Sequence, residues 1–236
     1  MKTGIVLPQF DAGAADLLGA ARLAEEAGLD SVWVSDNLWG VPRRDRPVLE
    51  AWTSLAAVAA STSRITVGTL VLRTTVRNRR VLLSMAQSVA LVAPGRFVLG
   101  LGIGDSTTRA EQRAFGLPYP PADERAAELR RHLELFRAEL PGVPVWVGGG
   151  SRHVMDLIPE AAGWNYWGTV DGFARRVDRA RELSGDRPVE LSWAGLKVSV
   201  EELHRLAGLG AAQAIVAAGA RNYREKVAML AGFARS

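Results

Sequence analysis

The chain has 236 residues and no cysteine; 48% of its residues are apolar and 23% charged, against about 45–50% and about 25% in ordinary globular domains. These figures exclude wholesale disorder, a disulfide framework, a thiolate metal site and a cysteine nucleophile. The formal charge of +4 comes from 29 basic and 25 acidic residues mixed along the chain, which reads as ordinary helix surface and not as a nucleic-acid face, although a mild basic bias suits an anionic small molecule.

The apolar runs are short and broken by Gly, Ser or Arg, so no ~20-residue membrane span is expected. The opening MKTGIVLPQFDAG holds too brief an apolar run for a secretory leader, and a cytoplasmic protein is expected.

In chain order, short β-branched runs alternate with stretches of helical periodicity. The expected strands are 4–9 (GIVLPQ), 31–35 (SVWVS), 64–71 (RITVGTLV), 96–102 (RFVLGLG), 143–148 (VPVWVG), 164–168 (WNYWG), 189–193 (VELSW) and 213–217 (QAIVA). The first expected helix carries Leu17, Ala20, Ala21, Ala24 and Ala27; the others lie near 50–62, 79–93, 123–139, 152–162, 171–184, 199–208 and 220–234. Ser199 with Glu202 has the spacing of a capping box. Gly28, Gly185 and Gly208 stand near helix ends, where a positive φ is often needed.

Eight strands alternate with eight helices at about 30 residues per unit, the size of a βα repeat. Near-continuous apolar strands imply a sheet covered on both faces, hence parallel. The expected architecture is α/β, a compact (β/α)8 TIM barrel with little or no insertion, in one domain over 1–236. An open doubly wound sheet fits less well, because the first strand ends in Pro8, Gln9 and Phe10 where phosphate-binding glycines would stand.

In such a barrel the chemistry sits where strands end. Asp36, Asn37 and Trp39 follow the second strand, either as a capped turn or as two polar groups beside an aromatic in a ligand pocket. After the third strand come Arg73, Arg77, Arg79 and Arg80; Arg73 lies closest to the strand end and its planar fork suits phosphate or carboxylate. Gly100, Gly102 and Gly104 alternate along the fourth strand end, followed by Asp105, a carboxylate placed either to handle a proton or to cap a helix.

After the fifth strand, Gly148, Gly149 and Gly150 lead into Ser151, Arg152 and His153, which reads as an anion cradle at a helix start or as a flexible loop. His132 and His204 are expected on outer helix faces. No two histidines share metal-ligand spacing, and no metal is expected. A phosphosugar isomerase or aldolase would want a strand-end lysine, and Lys2, Lys197 and Lys226 are the only lysines.

Five segments in order, GLDSVWVSDN, RITVGTLVL, PGRFVLGLGIGDS, VPVWVGGGS and AAGWN, resemble the motifs of the luciferase-like monooxygenase superfamily, over most of residues 1–170. GLGIGDS is most similar to the branch using the deazaflavin coenzyme F420. The resemblance implies an F420-dependent oxidoreductase, with FMN as the alternative cofactor. The reaction would be hydride transfer to or from a small organic substrate, in a homodimer without nucleic-acid or membrane partners.

The resemblance also implies site roles. Asp36 lies beside the cofactor ring, and Leu70–Val71 matches a bulge with a non-proline cis peptide behind it. Gly102, Ile103 and Gly104 flank the ring; Gly149, Gly150 and Ser151 meet the phosphate and ribityl chain, with Arg73, Thr108 and His153 nearby. Asp105, Asn37 and Trp39 are the candidate catalytic residues on the substrate side.

Two departures stand out. Many members have Asp-His where this chain has Asp36-Asn37, and a glutamate where it has Asp105. Neutral Asn37 cannot act as an acid or base. Together with the missing insertion, this leaves a non-catalytic flavin-binding barrel as the competing reading.

Overall fold

The computed structural model describes residues 1–40 and 43–235. Among them, nine strands form one parallel sheet: β1 (Lys2–Val6), β2 (Ser31–Val34), β3 (Thr66–Thr69), β4 (Leu72–Arg73), β5 (Phe97–Gly102), β6 (Val145–Gly148), β7 (Gly163–Trp167), β8 (Glu190–Gly195) and β9 (Gln213–Ala217). They are hydrogen-bonded in the order β3-β2-β1-β9-β8-β7-β6-β5-β4, and β3 also pairs with β5, which closes the sheet. Because β3 and β4 are two halves of one interrupted strand, this is the expected eight-stranded barrel.

The first strand ends at Val6, short of the expected residue 9, since Pro8 has no amide to continue the ladder. The expected strand 64–71 is split by a cis peptide at Leu70–Val71.

The helices are α1 (Ala14–Glu26), α2 (Ala51–Ser61), α3 (Arg79–Val92), α4 (Arg109–Ala114), α5 (Ala122–Glu139), α6 (Arg152–Met155), α7 (Val170–Ser184), α8 (Val200–Gly208) and α9 (Tyr223–Ala234). The capping box on α8 forms, Ser199 Oγ accepting from Glu202 N and the Glu202 carboxylate accepting from Ser199 N. The helix expected over 152–162 stops after four residues and resumes as a 3-10 turn over Ile158–Glu160, because Pro159 cannot donate back to the preceding turn. Short α4 was not expected; RAEQRA has no apolar stripe to reveal it. Gly28 takes a positive φ of 81°, but at the end of α8 the left-handed residue is Gly210 (φ 73°), not Gly208.

Two apolar layers position the mouth. Inside the barrel, Val6, Trp33, Leu70, Trp146, Ala194 and Ile215 form a closed plug, with the Trp33 and Trp146 rings 5.0 Å apart. Outside it, Leu17, Leu55, Val58, Leu82, Leu129, Phe136 and Phe173 fill the space between strands and helices. The lumen is thus a packed core, and only its C-terminal end is open to chemistry.

His132 is a correction: it is fully buried on α5 and not on an outer face. It falls within the stripe Leu129, Leu133, Phe136. Its Nδ1 lies 2.8 Å from the Glu128 carbonyl oxygen, while Nε2 has no hydrogen-bond partner among the described residues. Burial pushes the imidazole below its ordinary pKa. His204 is exposed, as expected.

Candidate active site

The floor of the mouth is built by the interrupted strand. Thr69 Oγ1 donates to the Gly100 carbonyl and accepts from the Gly100 amide, both at 2.9 Å, which pins the end of β3 to β5. The cis peptide follows. Leu70 drops into the plug, and the Val71 side chain lies across the top of it. The space for Val71 comes from glycines on the neighbouring strands: a Cβ at Gly148 would stand 2.5 Å from Val71 Cγ1, and one at Gly102 would stand 2.6 Å from Val71 Cγ2. These glycines receive a protein side chain. Gly104, with φ 68°, turns the chain out of the strand beside the Arg73 and Thr108 side chains, and Ile103 is buried next to it.

One flank of the mouth is a chain of alternating charges, Glu111–Arg73–Asp36–Arg77–Glu50. The Asp36 carboxylate accepts from the Arg73 amide at 2.9 Å and from Arg77 Nη2 and Nη1 at 2.8 and 3.0 Å. The Arg73 guanidinium donates to the Glu111 carboxylate and to the Asp36 carbonyl. Glu111 accepts from the Leu38 and Trp39 amides at 2.7 and 3.0 Å, which fixes the loop after β2. Arg77 also donates to Glu50 at 2.8 Å, and Glu50 caps α2 by accepting from Thr53 N.

Arg73, Asp36 and Glu111 are nearly inaccessible. Burial alone would lower the Arg77 pKa, but Asp36 and Glu50 outweigh it and hold the guanidinium above its usual range. Burial would likewise raise Glu50, but the Thr53 and Trp52 amides and Arg77 hold it below the usual carboxylate range. Arg73, which the resemblance puts near the phosphate and ribityl chain, and Asp36, which it puts beside the ring, both have their side chains engaged in this network. Glu111 and Glu50 were missed. Glu111 sits in the stretch without periodicity, and only contact across more than 70 residues marks it.

Asn37 is half-buried past β2, and its side chain makes no hydrogen bond among the described residues. The Trp39 ring is half-buried against Phe115 (centroids 6.5 Å apart), with the Arg44 guanidinium 4.3 Å from its centroid. Asp105 is exposed. Its Oδ1 accepts from the Thr107 and Thr108 amides at 2.9 and 3.2 Å, so it caps the turn into α4, while Oδ2 has no partner among the described residues. Thr108 Oγ1 closes the same turn by donating to the Asp105 carbonyl.

Across the mouth, the Gly149 amide is taken by the Asn165 carbonyl, and those of Val154 and Met155 by Ser151. The amides of Gly150, Ser151, Arg152 and His153 meet no acceptor among the described residues. They form a run of free donors at the end of β6. The His153 ring turns away from them, with Nε2 2.7 Å from Asp123 on α5. Among the described residues, no group of three or more His, Asp or Glu could hold a metal ion, and no helix is long and apolar enough to cross a membrane.

This geometry agrees with what the chain is similar to. Residues 1–142 match the family model described as luciferase-like monooxygenase, and the chain belongs to that family. Among curated relatives, the F420-dependent glucose-6-phosphate dehydrogenase of Beutenbergia cavernae is 40% identical over 137 residues, which is 57% of this chain and 39% of that protein. The protein of the same name from Nocardia farcinica is 37% identical over 209 residues, 86% of this chain and 60% of that one. These matches therefore span between two fifths and three fifths of the relatives' length.

Among solved structures, the coenzyme F420-dependent tetrahydromethanopterin reductase of Methanopyrus kandleri superposes with a TM-score of 0.79 at 14% identity, over 98% of this chain and 97% of that one. The monooxygenase RslO1 of Streptomyces bottropensis gives 0.75 at 16% identity, over 100% and 98%. At these identities the likeness is one of fold.

Proposed function

We propose that this chain, acting as one barrel domain over 1–236, is a coenzyme F420-dependent oxidoreductase that moves a hydride between the deazaflavin and a small organic substrate. The observation that carries the reading is the pairing of two features across one mouth: the Leu70–Val71 floor, and the free amides at 150–153. A flat ring fits over the floor. An anionic phosphate fits the row of amide donors, which otherwise remain without partners. The similarity to proteins named as F420-dependent dehydrogenases supports the choice of cofactor.

On this reading the residues divide by role. Leu70 and Val71 back the ring, and Gly102, Ile103 and Gly104 border it. Gly149, Gly150 and Ser151 receive the phosphate, with Thr108 and His153 at the rim. Asp36 and Arg73 position the floor without touching the cofactor. Asn37 and Trp39 face the substrate, Asn37 as a neutral hydrogen-bonding group. Asp105 keeps Oδ2 free to exchange a proton with water or substrate. When bound, the deazaflavin supplies the hydride chemistry; the chain supplies orientation and a dry floor.

Action in the cytoplasm belongs to the same proposal, supported by the absence of a membrane-spanning helix among the described residues. So does a homodimer. Its support is an uncharged exposed face on α2 and α3, with Ala56, Ala57 and Ala60 beside Val81, Ser84, Ser88 and Leu91; Leu91 is 83% exposed.

The test is a spectroscopic titration of the purified chain with F420 and, separately, with FMN, followed by hydride exchange with the bound cofactor. F420 binding and exchange are expected. FMN binding without F420 binding overturns the cofactor, and tight F420 binding without exchange favours a non-catalytic barrel.

A further inference from the structure

The free amides at the end of β6 stand in a row because their peptide planes are held from behind. In a planar trans peptide, the carbonyl of one residue and the amide of the next point in opposite directions. A group that captures the carbonyl therefore also aims the following N–H. Three successive carbonyls are captured in this way. Gly149 O accepts from the Trp164 indole Nε1 at 2.8 Å. Gly150 O accepts from Arg176 Nε at 3.1 Å. Ser151 O accepts from the Val154 and Met155 amides at 3.1 and 3.0 Å. The amides that follow, those of Gly150, Ser151 and Arg152, are among the ones that meet no acceptor among the described residues.

The two side-chain anchors are themselves fixed. Trp164 is fully buried on β7 and stacks on Phe173 of α7, with ring centroids 5.8 Å apart and 16° between the planes. Arg176 on α7 donates Nη1 to Gly172 O at 2.9 Å and lies 5.0 Å from the Tyr166 ring centroid. Among the described residues its partners are two carbonyls and that ring, and no carboxylate. Gly150 leaves room for this approach: a Cβ there would stand 2.8 Å from Tyr166 Cε2 and 2.9 Å from Arg176 Nε. Helix α6 has only four residues, so the donors owe their direction to these anchors and not to a helix terminus.

From this we infer that Trp164 and Arg176 are positioning residues for a phosphate ester, acting through the backbone and not by touching the ligand. With their carbonyls held back, the Gly150 and Ser151 amides face one anion together, as in a backbone nest. The guanidinium at Gly150 O also polarises the Gly150–Ser151 peptide and strengthens its N–H as a donor. Once released, either carbonyl can turn toward the phosphate, where oxygen repels oxygen. The assignment rests on the proposed cofactor site and adds to it which residues make binding depend on the phosphate. Both lie beyond residue 142, where the match to the family model ends.

The test uses the full chain and two deazaflavin probes: F420, and the same ring with its ribityl chain but no phosphate. Inorganic phosphate is followed separately at the Gly150 and Ser151 amides by NMR. The parent should prefer F420, and phosphate should shift both amides. Trp164→Phe removes the indole donor without changing charge, and Arg176→Met removes the guanidinium. Each should cut the preference for F420 by about tenfold, the worth of one hydrogen bond to a charged group, while affinity for the phosphate-free probe and circular dichroism stay as in the parent. An unchanged preference in either folded variant overturns the inference. So does a loss in Arg176→Met that high salt abolishes, because that is charge attraction and not alignment. If Trp164→Phe does not fold, Arg176→Met and its salt dependence decide. A parent that binds phosphate at these amides but not F420 leaves the inference standing and removes the cofactor reading. A parent in which phosphate shifts neither amide overturns the inference, whether or not F420 binds.

Discussion

The two flanks of the barrel mouth are built differently. Between β2 and α4, five charged side chains alternate in sign and satisfy each other and the loop amides around them. Between β7 and β9, Trp167 at the end of its strand is apolar and half-exposed, and Arg176 and Lys226 donate to backbone carbonyls, Arg176 also lying over the Tyr166 ring. A buried ion pair is weak evidence for net stability, but removing one partner is costly because the other charge is stranded. The first flank therefore fixes backbone geometry and offers little to a ligand. The second has surface left over for binding.

The largest expected effect tests the charged flank. Glu111→Ala strands the Arg73 guanidinium and frees the Leu38 and Trp39 amides, so urea denaturation should show a loss of about 3–5 kcal/mol. Glu111→Gln, which keeps an acceptor oxygen, should lose less. A loss below about 1 kcal/mol for Glu111→Ala would mean that the network is ornamental and the contrast between the flanks fails.

Gly148→Ala comes next. Its methyl group would meet Val71, and overpacking of this kind costs about 1–3 kcal/mol. F420 affinity should fall with stability, because the floor must shift. Retained affinity in a titration would remove Val71 from the floor.

A smaller effect lies outside the mouth and calibrates the core that both flanks rest on. His132 is held neutral by burial, against the raising influence of Glu128, with the Arg79 and Arg131 charges opposing protonation. The unfolded chain protonates this ring near the ordinary value of about 6.5. Its folded pKa is lower, so its stabilising contribution is complete above that value and is lost as the pH falls through it toward the folded pKa. Melting temperatures at pH 7.5 and 5.5 should therefore drop more for the parent than for His132→Leu. Equal drops would contradict the assignment.

The smallest stability change is expected on the apolar flank. Trp167→Ala should stay within about 0.5 kcal/mol of the parent in the same denaturation assay, as exposed positions usually do. A loss of several kcal/mol would show that Trp167 is core and not free surface.

Much of the architecture was legible because strand and helix periodicities are local. All eight barrel strands and the amphipathic helices were found within a few residues. The misses have local causes too: Pro8 shortened the first strand, Pro159 broke the helix after Met155, and α4 lacks an apolar stripe. The site is less legible in the sequence. Arginine near a strand end has the chemistry of an anion ligand, which is why Arg73 stands out. Whether that chemistry is still available depends on Glu111, 38 positions away. His132 looked like a surface residue because its hydrophobic neighbours lie one turn away on either side.

Composition, periodicity and glycine placement alone were enough to give a closed parallel barrel with its working end at the strand termini, since those signals repeat every two to four residues. Only the folded chain decided which polar groups at that end are free. Pairing among Asp36, Arg73, Arg77, Glu50 and Glu111 depends on distances between loops, and the exposure of Trp167 on the register of β7 and β8. Neither quantity is encoded in any single stretch of sequence.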